Sequence, residues 1–220
     1  MNIVFLLFDR ITALDAVGPY EVLARLPGAR VTFAAPQAGE IRTDNRALGL
    51  VADVSLDEIG ACDLLVVPGG FGTRMLERDS LVLEWIRAID RTTEVTAAVC
   101  TGSIVLAAAG LLQGRRANTH WAHRHRLSDY GAIPTPHRIV RDGKYATGAG
   151  VSAGIDLALS LAIQLAGPEV AAAIQLTIEY DPHPPLDCGD ASRAPAALRE
   201  SILARVRARE DELADAARDH

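Results

Sequence analysis

The sequence predicts an α/β protein: a mostly parallel sheet covered by helices on both faces. Three observations carry this. Residues 3–8 and 64–67 are short apolar runs, the pattern of strands buried on both sides, and residues 95–99 read as a further short strand. Stretches of helical length, amphipathic or rich in Ala and Leu, separate these runs. The strands alternate with helices along the chain, which implies parallel pairing, and Asp142-Gly143 gives a hairpin turn signal.

In chain order, residues 3–8 form the first strand. Residues 15–26 form a helix with Val17, Val22, Leu23 and Leu26 on one face, and residues 30–35 the next strand. Residues 64–67 are a buried strand stopped by Pro68-Gly69-Gly70. An amphipathic helix at 81–89 leads to the short strand 95–99, and residues 101–112 turn helical at once. Residues 138–140 and 145–147 flank Asp142-Gly143, a hairpin turn. Helices follow at 152–166 and 169–179. Beyond Tyr180 the run Asp181-Pro182-His183-Pro184-Pro185 excludes helix, because proline lacks an N–H and fixes φ. The expected organisation is one domain over 1–220, with an extended strap and a charged terminal helix at about 181–217.

Bulk properties narrow the function classes. At 220 residues and 49% hydrophobic, the chain can bury a sizeable core. A net charge of −6 repels a phosphate backbone, so nucleic acid is not an expected partner, despite the arginines and histidines of residues 115–126. Three scattered cysteines (Cys62, Cys100, Cys188) form neither a disulfide framework nor a CxxC metal pair. No apolar stretch has the length of a membrane span. The expectation is a protein of a reducing, cytoplasmic compartment with no metal.

The most informative segment is Val99-Cys100-Thr101-Gly102-Ser103. A strand ends at Cys100 and a helix begins immediately, with Ala98 and Gly102 two residues to either side, as a sharp strand-to-helix turn requires. Such a turn lifts the side chain above the carboxyl edge of the sheet, where ligands of open α/β sheets bind. The following helix N-terminus favours an ionised thiolate at Cys100, and the Thr101 amide can meet developing negative charge. Cys62 reads as a core residue, and Cys188 sits in a Pro-rich loop. Pro68-Gly69-Gly70-Phe71-Gly72 leaves a neighbouring strand; its glycines offer backbone amides to a ligand as the second half of an oxyanion-type site, or form a plain exit loop.

Asp15 follows the first strand and so lies at the same sheet edge, either as an acid facing Cys100 or as a helix N-cap. Glu21 is a second carboxylate candidate, and Gly18-Pro19 near the helix start points to a local geometric demand. His120 can reach the pocket or serve the core, whereas His123 and His125 alternate with charged residues and read as solvated.

These segments carry a resemblance. Leu14-Asp15 with Gly18-Pro19-Tyr20, Val67-Pro68-Gly69-Gly70, Cys100-Thr101-Gly102-Ser103, residues 109–117 with Thr119-His120-Trp121-Ala122, Gly131-Ala132-Ile133-Pro134, Ala153-Gly154-Ile155-Asp156, Glu179-Tyr180 and Pro184-Pro185 resemble the PfpI-like (ThiJ/PfpI) superfamily. The fit is nearest to its isonitrile-hydrating members. The resemblance implies a class I glutamine amidotransferase-like (flavodoxin-like) sandwich, a homodimer, and hydration of an isonitrile to an N-substituted formamide without cofactor. It places the essential cysteine, aspartate and threonine on Cys100, Asp15 and Thr101, with Gly69, Gly70, Phe71 and His120 around the substrate. The superfamily's proteases carry histidine directly after the cysteine; Thr101 stands there, which argues against peptidase action. Two alternatives share the motifs: a ligand-sensing regulatory domain and a glyoxalase-like thiol enzyme.

Overall fold

The computed structural model describes residues 1–216, and side chains as far as 213. The described residues fall into two compact units, one ending at Glu179 and the other beginning at Tyr180. In the first, β1 (Asn2–Leu6) leads into α1 (Ala13–Leu23), then β2 (Arg30–Ala35), β3 (Gly39–Arg42), β4 (Gly49–Ala52) and β5 (Val54–Ser55). Next come β6 (Leu64–Val67), α2 (Thr73–Leu76), α3 (Ser80–Asp90), β7 (Val95–Val99) and α4 (Gly102–Ala108). The unit continues with β8 (Arg116–Ala117), α5 (Arg126–Asp129), β9 (Ile133–Pro134), β10 (Ile139–Asp142), β11 (Tyr145–Gly148), α6 (Ala153–Ala166) and α7 (Pro168–Thr177). The second unit starts with chain free of regular structure and holds α8 (Ala196–Ala216); the expected helix end at residue 217 lies outside the described residues.

The main sheet has seven strands in the order β10-β11-β7-β6-β1-β2-β5. Every pairing in it is parallel except the β10–β11 hairpin, as the alternation of runs and helices predicts. Gly143 makes the hairpin turn at φ 62°, a conformation favourable only without a Cβ. The apolar runs are interior: Ile3, Phe5, Leu6, Leu64 and Leu65 are fully buried. Helix α3 turns Val82, Leu83, Ile86 and Ile89 inward, and its Asp79 N-cap accepts the amides of Leu81 and Val82. Helix α4 stops at Ala108, four residues earlier than predicted, because Gly110 follows at φ 80° and lets the chain turn away.

The Gly18-Pro19 pair has a packing explanation. A Cβ on Gly18 would lie 3.1 Å from Ile155 Cγ1, and one on Gly154 would lie 3.1 Å from Pro19 Cγ. Small residues on each helix thus let α1 and α6 approach closely. This draws together the starts of two helices that both follow parallel strands.

Candidate active site

Strands β1, β6, β7 and β11 end at one edge of the sheet, and the loop after each supplies one part of the site. Chain connections diverge to opposite sides of β1 there, as expected of a ligand crevice in an open α/β sheet.

Cys100 sits at the bend between β7 and α4 with φ 55°, a left-handed conformation uncommon for a residue with a Cβ. Its backbone is pinned from several sides. The amide donates to the carbonyls of Gly148 (3.2 Å) and Ala149 (3.0 Å). The carbonyl accepts the hydroxyls of Ser103 (3.0 Å) and Thr119 (2.8 Å). Gly102 permits the bend: a Cβ there would sit 2.1 Å from the Val67 carbonyl oxygen at the end of the neighbouring strand. The strained turn expected from sequence is therefore present, and the surrounding bonds hold it in place.

The sulfur lies against the backbone amides of Val151 and Thr101 and the side chain of Asp15. Burial, and then the neighbouring Asp15 carboxylate, push the Cys100 thiol well above its usual range, while the two amides act in the opposite sense. This corrects the expectation of a resting thiolate. Desolvation outweighs a seven-residue helix and favours the neutral thiol.

Asp15 is not the N-cap. Thr12 occupies that position, and Asp15 stands in the first turn of α1 with no exposed surface. Pro19, four residues on, has no N–H to give the Asp15 carbonyl. The Gly69 amide donates to Asp15 Oδ2 at 2.9 Å. Oδ1 is buried without a hydrogen-bond partner among the described residues. Burial pushes the carboxyl up to about 7; the Gly69 amide and the Cys100 thiol oppose this, and Asp44 reinforces it. Glu21, the other candidate, is on the surface and paired with Arg25 (2.7 Å).

The glycine loop behaves differently from its sequence expectation. The Gly69 amide is used by Asp15, and the Gly70 amide donates to Thr101 Oγ1 at 2.9 Å. Neither is free to receive an oxyanion, because both hold catalytic candidates in place instead. The Thr101 hydroxyl in turn donates to the Gly70 carbonyl (3.1 Å), closing a two-bond clip between elbow and loop. Gly69 lies at the centre of the site: a Cβ there would be 2.6 Å from the Thr101 nitrogen, 2.7 Å from Asp15 Oδ2 and 2.8 Å from Cys100 Cβ. Phe71 follows on the same loop, half-buried, where the chain turns into α2.

His120 packs its ring edge on Gly150, where a Cβ would meet Cδ2 at 2.4 Å. Its Nδ1 accepts the Ala122 amide (3.3 Å), which leaves the proton of the neutral ring on Nε2. Burial, then Arg124, lowers its pKa, favouring that neutral ring. His123 is buried, not solvated as its charged neighbours suggested, while His125 is exposed. Sequence reasoning missed the Val151 amide, the Thr119 hydroxyl on the elbow carbonyl, and Asp44. The Gly148-Ala149-Gly150 run after a strand was a signal for the first.

Fold and site together define a parallel α/β sandwich in which a cysteine at a strand-to-helix elbow faces a buried acid. The DJ-1/PfpI family model matches residues 1–164, and the chain belongs to that family. An isonitrile hydratase from Pseudomonas putida is 43% identical over 94% of this chain and 90% of its own length. The crystal structure of a ThiJ/PfpI family protein from Pseudomonas syringae superposes with a TM-score of 0.91 at 34% identity, covering 96% of this chain and 87% of that one. A helix-turn-helix transcriptional regulator from Pseudomonas aeruginosa is 35% identical over 59% of this chain, which spans 39% of the regulator.

Proposed function

We propose that the protein hydrates an isonitrile to an N-substituted formamide, with Cys100 as nucleophile, Asp15 as proton carrier and Thr101 as the residue that fixes the sulfur. The observation that carries this is the unpartnered Asp15 oxygen, buried beside a neutral thiol, together with similarity to a hydratase along nearly the whole chain.

The pair holds one mobile proton when Asp15 is ionised and Cys100 is a thiol. Asp15 takes the thiol proton as sulfur attacks the terminal isonitrile carbon, and passes it to that same carbon. The result is a thioimidate, R–N=CH–S–Cys100. Water then adds its oxygen to this carbon and a proton to nitrogen. As the carbonyl forms, the C–S bond breaks and the hydroxyl proton returns to sulfur through Asp15, leaving R–NH–CHO. The amides of Thr101 and Val151 oppose the cost of charge on sulfur during attack and departure. The scheme needs no metal or organic cofactor. The low cysteine count without disulfide spacing supports a cytoplasmic setting, and the family resemblance supports a homodimer. Among the described residues no helix is long and apolar enough to cross a membrane.

The test is incubation with cyclohexyl isocyanide, following N-cyclohexylformamide by NMR. Wild-type protein is expected to turn over and Cys100→Ala to be inactive. Turnover of methylglyoxal in place of the isocyanide would reassign the site to carbonyl chemistry. Binding without turnover of either would favour the sensor role suggested by the regulator it resembles.

The pH dependence follows from the same pair. Below about pH 7 both groups carry protons and the base is lost; above it Asp15 is ionised while the thiol, held well above its usual range, stays protonated. kcat/KM is therefore expected to rise as pH increases through about 7 and then hold level. A profile that falls over pH 6 to 8 would exclude Asp15 as the base.

A further inference from the structure

We propose that Asp44, at the tip of the β3–β4 hairpin, is a positioning residue for this reaction: its fixed negative charge beside the start of α1 sets how tightly Asp15 holds its proton. The inference rests on the proposed hydration reading and adds to it a residue outside the elbow.

The hairpin reaches the site through a short series of contacts. Thr43 bridges to Ile11, and the Asp44 amide donates to the Ile11 carbonyl at 3.0 Å. Thr12 is the N-cap residue of α1, yet its side chain makes no cap bond. Its hydroxyl instead donates to Asp44 Oδ2 at 3.2 Å. The other carboxylate oxygen accepts the Asn45 amide at 2.8 Å. Thr12 also donates its amide to the Gly69 carbonyl (2.9 Å) and accepts the Asp15 amide (3.0 Å), while the Gly69 amide holds Asp15 Oδ2. Asp44 is thus tied to the same two backbone segments that position the acid.

No cation neutralises Asp44 among the described residues. Arg46, two residues along the tip, is paired with Asp9 (2.7 Å), which Arg10 also approaches (3.9 Å). The titratable groups acting on Asp15 are then Cys100 as a neutral thiol from the elbow and Asp44 as an anion from the hairpin. A negative charge held near a buried carboxyl makes that carboxyl more basic. A general base poised near the working pH removes a thiol proton more readily than an ordinary aspartate does.

The test compares Asp44→Asn, which removes the charge and keeps one oxygen acceptor for the Asn45 amide while its NH2 can donate to the Thr12 hydroxyl, with Asp44→Glu, which keeps the charge. The Asp15 carboxyl is titrated by 13C NMR in the full chain without isonitrile, its signal assigned by loss in Asp15→Asn. In Asp44→Asn the midpoint is expected to fall by roughly half a pH unit, the order Coulomb's law gives for partly screened carboxylates within a Debye length. The rising limb of kcat/KM moves with it, making the variant roughly threefold faster than wild type at pH 6, since each pH unit is a factor of ten. Asp44→Glu restores both, and added salt moves wild type toward Asp44→Asn. A midpoint unchanged in Asp44→Asn overturns the proposal and leaves Asp44 a turn residue. A shifted midpoint with no isonitrile turnover in any form sustains the effect on Asp15 and overturns the hydration reading instead.

Discussion

A carboxyl group without solvent exposure that titrates near 7 is protonated in the folded chain over a range where it is ionised in the unfolded one. Folding therefore binds a proton between about pH 4 and 7, and stability falls as pH rises across that window. From 3.8 to about 7 the linkage amounts to roughly 4 kcal/mol, fully expressed above pH 7. Asp15→Asn removes the ionisation while keeping an oxygen for the Gly69 amide. It is expected to abolish turnover yet raise Tm at pH 8 by roughly 8 °C or more, at 2–4 °C per kcal/mol for a chain of this size, with the gain vanishing below pH 4. Thermal scans at the two pH values check this; equal Tm at both would mean that Asp15 bears no burial penalty. Gly69→Ala makes the complementary point, because its methyl enters the space between Cys100, Asp15 and Thr101. Loss of turnover by at least a hundredfold, measured on folded protein, is expected. The elbow at Cys100 was legible from spacing; Asp15 stood at a strand exit where a helix N-cap explained it equally well, and its place opposite the sulfur came from the family resemblance. The protonation of the two was not legible, because burial of one side chain depends on segments distant in sequence.

At the scale of elements, α2 and α5 are joined by charge. Glu77, just past α2, is 4% exposed at its side chain and pairs with Arg126 of α5, which is 13% exposed. Arg126 Nη1 donates to Oε1 at 3.1 Å and the Tyr130 hydroxyl donates to Oε2 at 2.9 Å. Removing one member leaves the other charge buried: Glu77→Ala is expected to cost about 3–5 kcal/mol in urea unfolding, whereas a Glu77→Met/Arg126→Met double variant costs less. A larger loss in the double variant would show that the pair stabilises beyond its own desolvation. None of this was visible in sequence, since the partners are 49 positions apart. Most strands of the main sheet were visible, the central ones because burial on both faces leaves a largely apolar run, whereas the two-residue edge strand β5 was not. The β3–β4 hairpin was not. Its residues are mostly half-buried and give neither a run nor a clean alternation, so the segment that carries Asp44 left no periodic trace.

The whole molecule separates chemistry from a second polar cluster by the length of its strands. Cys100 lies just beyond the carboxyl end of β7, and at the opposite end Asp90 accepts Thr96 Oγ1 (2.7 Å), the Tyr145 hydroxyl (3.1 Å) and Lys144 Nζ (3.1 Å). Five residues of β7 put the two ends roughly 16 Å apart at 3.3 Å per residue. Thr93 completes the cluster through Thr96 (2.8 Å). Every group in it is satisfied within the protein, and it ties α3 to β7 and β11 where the sheet is furthest from the crevice. Asp90→Ala strands the Tyr145 hydroxyl and leaves Thr96 with Thr93 alone, while Lys144, with 30% of its side chain exposed, can turn to water. The expected loss is about 2–4 kcal/mol, as for buried donors deprived of an acceptor. Sites this far apart with no shared partners add, so an Asp90→Ala/Cys100→Ala double variant should equal the sum of the singles within about 0.5 kcal/mol. Turnover per folded molecule of Asp90→Ala should stay within twofold of wild type below its unfolding transition. Activity falling in step with the stability loss, in protein shown by circular dichroism to be folded, would mean that β7 transmits strain from the cluster to the elbow. The residue-scale geometry argues against that, since the Cys100 backbone is pinned by Gly148, Ala149, Ser103 and Thr119 at its own end of the strand.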